Sequence, residues 1–152
     1  MAALSPAEQL DGFLDKFSPE VAASARAALA KLRPMFPGAC ELIYDNYTAL
    51  AVGWGATDKR DDVFCNIAVF PKWVTLVFSW GVDLPDPHGL LNGGGNQVRH
   101  LRLQDLALLD DARVLELIGE ARARTRVPLD PSQPQRMVIK SVSAKQRPRR
   151  PG

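Results

Sequence analysis

The chain has 152 residues, 46% hydrophobic and 24% charged, the proportions of a single soluble domain with one sizeable core. No apolar run reaches the ~20 residues of a membrane helix, and Met1–Glu8 lacks the basic start and apolar stretch of a secretory leader, so a cytoplasmic protein without a membrane partner is expected. The net charge of +2 is uneven: residues 136–152 hold six basic and no acidic side chains, leaving residues 1–135 with 13 basic and 17 acidic ones, a net of −4.

Ser5-Pro6-Ala7-Glu8 has the form of a helix start, with Ser5 as N-cap, Pro6 at the first helical position and Glu8 closing a capping box. A short helix to about Lys16 follows. Ser18-Pro19-Glu20 repeats the signal, and Val21, Ala25, Leu29 and Leu32 recur at helical spacing to give one buried face. Pro34, Pro37 and Gly38 end that helix.

The period then changes. Residues 40–46, 47–54, 63–70 and 73–80 are short runs rich in Val, Ile, Leu and aromatics, separated by turn chemistry. Connections this short require antiparallel neighbours. Cys40 and Cys65 fall within these runs and are expected as buried, reduced thiols, too few for a disulfide framework or a zinc site. Trp54, Trp73, Trp80, Tyr44 and Tyr47 load the sheet with aromatics; core packing accounts for them, since no RNA-binding signature accompanies them.

Residues 81–96 form a long loop containing Pro85, Pro87, Gly89 and the triplet Gly93-Gly94-Gly95. Loops of this length in compact domains are usually functional or mobile. Residues 98–103 alternate as a fifth strand, with His100 and Arg99 on opposite faces. Asp110 or Asp111 caps a third helix whose Val114, Leu117, Ile118 and Ala121 share a face. The domain organisation expected is therefore an α+β body over residues 1–126, a Pro-rich linker over 127–135, and a strand-like segment with a basic tail over 136–152. The tail is expected to be solvated. Met137–Val142 is strand-like text with no assigned neighbour, open to pairing in its own sheet or to exchange with a second copy in a homodimer.

Candidate chemistry centres on the loop and the strand after it. Three successive glycines give up side-chain packing and bring backbone N–H groups close to a partner. Asn96, Arg99 and His100 follow them, while Trp80 and Asp83 stand at the loop's start. The glycines precede a strand and open no helix, so they match neither a P-loop nor a dinucleotide fingerprint, and no cofactor motif is present. No nucleophile elbow occurs, and neither cysteine has a histidine near it in sequence; no catalytic residue is assigned. The expectation is a non-catalytic binding protein taking a small polar or anionic ligand between Trp80, Asp83, Gly93, Gly94, Gly95, Asn96, Arg99 and His100. Arg99 would supply fixed charge, His100 a titratable donor, and Asn96 with the glycine backbone the orienting hydrogen bonds. Two other readings stay open. Asp83, Asp86 and His88 could hold a hard metal ion, although no metal site is assigned. The tail over residues 136–150 could bind nucleic acid or an acidic partner.

Glu41-Leu42-Ile43-Tyr44-Asp45, Ala49-Leu50-Ala51-Val52-Gly53, Val69-Phe70-Pro71, Leu84-Pro85-Asp86-Pro87, Gly89-Leu90-Leu91 and Gly95-Asn96-Gln97-Val98-Arg99-His100-Leu101 together resemble the YdhG-like domain family of unknown function, over roughly residues 8–122. Ile139–Lys145 is similar to the end of that group. The resemblance implies a frataxin-like α+β sandwich, with helices packed on one antiparallel sheet of five to six strands. One branch of the family is described as frataxin-like intracellular iron chaperones, a role implying an acidic ridge. The first two helices offer Glu8, Asp11, Asp15 and Glu20, interspersed with Lys16, Arg26, Lys31 and Arg33.

Overall fold

The computed structural model describes residues 3–151; Met1 and Ala2 of the N-terminus and Gly152 of the tail lie outside them. The first helix, α1 (Pro6–Leu14), begins as its sequence dictates. Ser5 Oγ accepts from the Glu8 amide at 3.1 Å, and the Glu8 carboxylate accepts from the Ser5 amide at 3.0 Å. Helix α2 (Pro19–Leu32) is capped by Ser18 and buries Val21, Ala22, Ala25, Ala28, Leu29 and Leu32. Helix α3 (Ala112–Arg124) is capped by Asp111 and buries the expected Val114, Leu117, Ile118 and Ala121.

Six strands form one open sheet: β1 (Cys40–Asp45), β2 (Leu50–Gly55), β3 (Val63–Val69), β4 (Val74–Phe78), β5 (Arg99–Arg102) and β6 (Arg136–Val142), in the order β5-β4-β3-β2-β1-β6. The meander β1 to β5 is antiparallel throughout. The sixth strand corrects the expectation of a wholly antiparallel sheet, because β6 runs parallel to β1. It reaches β1 only after the chain has crossed through α3 and the Pro-rich stretch, and a crossover of that length is what parallel pairing demands.

The two sheet faces differ. The row Ile139, Ile43, Val52, Ile67, Leu76 and Leu101 packs with the buried faces of the helices into the main core. Phe36 joins this core, with its ring 5.4 Å from Trp54 and 5.1 Å from Phe64. The next row, Val138, Leu42, Gly53, Asn66, Val77 and His100, lies on the other face. Cys40, Leu42 and Val63 make only a small apolar cluster there, flanked by Tyr44 and Val138. Both cysteines are unpaired and buried. Burial pushes the Cys65 thiol far above its ordinary value.

Residues 127–135 do not hold the C-terminal segment apart from the body. Leu129 packs on the main core, and Gln135 Nε2 donates to the carbonyls of Arg33 and Phe36 at 2.9 and 3.0 Å. A side chain at Gly38, whose φ is +82°, would run into the Asp130 carbonyl.

The tail is likewise no free basic arm. Arg149 is buried, and its Nη2 donates to Asp45 Oδ1 at 2.8 Å and to the Asn46 carbonyl at 2.5 Å. Lys16 Nζ meets the other Asp45 oxygen at 2.6 Å and Gln146 Oε1 at 2.8 Å. Arg150 reaches the Lys16 carbonyl at 3.3 Å, while Arg147 lies over the Tyr47 ring at 5.6 Å. Of the six tail cations, Arg149 is the one that meets the Asp45 carboxylate, at the end of β1.

Candidate functional site

The residues singled out along 80–100 are divided by the structure. After β4 the chain makes a tight turn at Gly81–Asp83, held by the Val82 amide donating to the Gln97 carbonyl at 3.0 Å. The Asp86 carboxylate accepts from the amides of Leu90 and Leu91, both at 2.9 Å, which consumes it in local structure. The chain then runs beside β5, where Asn92 and His100 exchange backbone hydrogen bonds of 2.8 and 2.9 Å.

The glycine triplet is the turn that follows. Gly93 has φ +133°, outside what L side chains readily adopt, whereas Gly94 and Gly95 have no positive φ and open space around them. Arg99 Nη1 closes the turn by donating to the carbonyls of Gly95 and Val98 at 2.6 and 2.8 Å. The arginine expected to meet a ligand therefore meets its own loop. Gly93→Ala should cost roughly 1–3 kcal/mol, while Gly94→Ala should be neutral; urea unfolding of the two variants measures the difference.

Strand alternation places Arg99, beside Phe78, toward the helices and His100, beside Val77, toward the uncovered face. The two do not share a site. Asn96 is exposed at the loop tip. Trp80 and Asp83 are brought together, at the mouth of a cleft of about 890 Å³. Its floor is Val63, Phe64 and Phe78, and its far wall is the end of α3 with Ala121, Arg124, Thr125 and Arg126. Gln97, the neighbour of Asn96, lines it as well.

Two polar ties hold the walls. Arg124 donates to Glu120 at 3.0 Å and to the Asp83 carbonyl at 3.3 Å, joining α3 to the 81–83 turn. Asp62 is buried, accepting from Thr57 Oγ1 at 2.6 Å and Arg126 Nη2 at 3.0 Å, which joins the β2–β3 connection to the end of α3. The Thr57 hydroxyl and then the Arg126 guanidinium hold the Asp62 carboxyl below its ordinary value. The α3 end, Gln97 and the start of β3 were not singled out from the sequence. An Arg-rich last helical turn looks like ordinary dipole compensation, and nothing local in residues 121–126 indicates that they face residue 80.

Asp61, Asp83, Arg124 and Arg126 line the cleft, and both arginines are already tied to other carboxylates, Arg124 to Glu120 and Arg126 to Asp62. The half-exposed Trp80 indole, 50% accessible, gives the cleft an aromatic wall.

Among the described residues, no three His, Cys, Asp or Glu side chains gather as metal ligands would. On the first two helices, Asp11 and Asp15 are bound to Arg26 at 2.7 and 2.9 Å, and Glu8 serves its cap. His88 is exposed on the loop. No helix among the described residues is long and apolar enough to cross a membrane. Comparison of the chain with models of protein families, with curated proteins and with solved structures finds no match in any of the three.

Proposed function

We propose that this domain is a non-catalytic binding protein whose ligand is a small polar molecule carrying an apolar ring, seated in the cleft between the 80–84 turn, the start of β3 and the end of α3. The observation that carries this reading is the exposed Trp80 ring standing over a floor of Val63, Phe64 and Phe78 within about 890 Å³. That volume lies within the range of small-molecule pockets, which pair an apolar lining with a few fixed polar groups. Leaving so large an aromatic surface in water at a concave site is unfavourable unless something covers it. With both lining arginines already tied to carboxylates, the cleft favours a polar ligand over a simple anion.

Binding, as against catalysis, is favoured by the placement of the reactive side chains. Both cysteines are buried, and His88 and His100 are exposed, outside the cleft lining. Acidic-ridge iron handling and capture of nucleic acid by the tail are less well supported. The acids of α1 are paired with Arg26, and Arg147, Arg149 and Arg150 are engaged with the body.

N-Phenyl-1-naphthylamine, a neutral fluorescent probe with an apolar ring system and one polar N–H, tests the site. It should bind saturably, and Trp80→Ala should weaken it about tenfold, the equivalent of roughly 1.4 kcal/mol. Thr125→Trp, which fills the cleft from a half-buried position, should abolish binding while leaving the melting curve near that of the parent. Equal binding by parent and Thr125→Trp would sink the reading.

A further inference from the structure

Four charged side chains line the cleft, Asp61, Asp83, Arg124 and Arg126, and they differ in what they already hold. Arg124 donates to the Glu120 carboxylate at 3.0 Å and reaches Asp83 only at its main-chain carbonyl, at 3.3 Å. Arg126 is tied to the buried Asp62 at 3.0 Å. Among the described residues, Asp61 and Asp83 enter no ion pair. The guanidinium groups therefore bring no uncompensated charge to the cleft, whereas the two carboxylates do. Other cations nearby are directed elsewhere: Arg60 lies outside the lining, and Arg99 is held by the carbonyls of Gly95 and Val98.

One of these carboxylates has an aromatic neighbour by construction. Trp80 and Asp83 begin and end a single 3₁₀ turn, closed by the Asp83 amide donating to the Trp80 carbonyl at 3.1 Å. Side chains three apart in such a turn lie on the same side, which sets the Asp83 carboxylate beside the half-exposed indole. Asp61 comes from the β2–β3 connection, next in the chain to Asp62, whose bonds to Thr57 and Arg126 hold that connection in place. An indole face attracts a positive charge through its ring quadrupole and disfavours a negative one. Indole and unpaired carboxylates thus select the same sign.

We infer that the ligand of this cleft is an organic ammonium. Its ring or short apolar body rests on Val63, Phe64 and Phe78, and its charged nitrogen meets the Trp80 face and the carboxylates of Asp61 and Asp83. The inference rests on the cleft being the binding site and adds the sign of the charge that it selects.

Three indoles that differ only at the end of a short side arm test it, by displacing N-phenyl-1-naphthylamine from the full chain. Tryptamine ends in an ammonium, tryptophol in a hydroxyl and indole-3-propionic acid in a carboxylate. Tryptamine should displace the probe at about one-tenth of the concentration that tryptophol needs, and the propionate should be weakest. Both carboxylates are exposed, so raising the salt from about 0.01 M to about 1 M should erode that advantage. In the double variant Asp61→Asn/Asp83→Asn, which keeps the size of both side chains, tryptamine and tryptophol should displace alike. The inference is overturned if tryptophol or the propionate matches tryptamine on the parent, if no indole displaces the bound probe at millimolar concentration, or if the double variant keeps the preference for tryptamine. Failure of the naphthylamine itself to bind would instead overturn the cleft reading, and this inference with it.

Discussion

Asp45→Ala should destabilise the protein by about 3–5 kcal/mol, the scale for removing one partner of a buried ion pair. Asp45 is fully buried at the end of β1 and is shared by Lys16 and Arg149. Arg149 is itself buried, with Nε and Nη1 already lacking a protein partner, so loss of the carboxylate leaves a cation with nothing to neutralise it. The structure has one escape: the tail lifts off and takes Arg149 into water. Urea unfolding should therefore show the loss of stability, and limited trypsin digestion should show faster cleavage after Lys145 and Arg149, since the Arg147–Pro148 bond resists trypsin. Lys16→Ala should cost much less, because its side chain is 41% exposed and half-solvated ion pairs contribute little. A variant Asp45→Ala as stable and as trypsin-resistant as the parent would show that the tail is held by something else.

The same carboxylate gives the fold an acid limit. Burial alone would raise the Asp45 pKa, but hydrogen bonds from Lys16, Gln146 and Arg149, with the charge of Lys16, outweigh it and hold the group below the free value of 3.8. A carboxyl titrating lower in the folded state makes the unfolded chain the better proton acceptor. Its contribution is present in full at neutral pH, begins to fade as the pH approaches 3.8, and is gone below the folded value. Asp45→Asn should flatten the stability profile in that acid window, and equilibrium unfolding at stepped pH measures it.

Glu41→Ala should cost about 3 kcal/mol by a different route. Glu41, 5% exposed, accepts from Arg33 Nε and Nη2 at 2.8 and 2.9 Å and from the Trp54 indole at 2.9 Å. Its loss strands the N–H of a tryptophan that is 1% exposed, along with a partly buried guanidinium. Glu41→Gln keeps one acceptor and should fall between parent and Ala. Trp54→Phe in the Glu41→Ala background should be less damaging than in the parent, since the stranded donor disappears with the indole; a double-mutant cycle by chemical denaturation resolves the coupling. Additive losses would mean that the three side chains do not act together.

The local signals in this chain were legible and the distant ones were not. Ser5, Ser18 and Asp111 mark the three helix starts because a cap is a contact within three residues, and short turns made β1 to β4 a meander. The partner of Met137–Val142 could not be read, since nothing near residue 137 indicates β1. The solvated-tail reading failed at Arg149 for the same reason: its charge is visible in the sequence and its buried carboxylate, 104 positions away, is not. The glycine triplet marks a turn that its own Arg99 closes. Arg99 satisfies the loop's own carbonyls, while Gln97 and the end of α3 line the cleft that Trp80 and Asp83 enter.

The parallel seam between β1 and β6 has a consequence for biosynthesis. Cys40 pairs with Arg136, so during translation the whole meander and α3 are made while the outer margin of β1 still has no mate. Until the C-terminal strand leaves the ribosome, β1 offers its free amides and carbonyls to any extended chain nearby, the circumstance in which nascent polypeptides associate wrongly. Closing so long a circuit also costs chain entropy, so the β1–β6 seam is expected to form among the later contacts of folding.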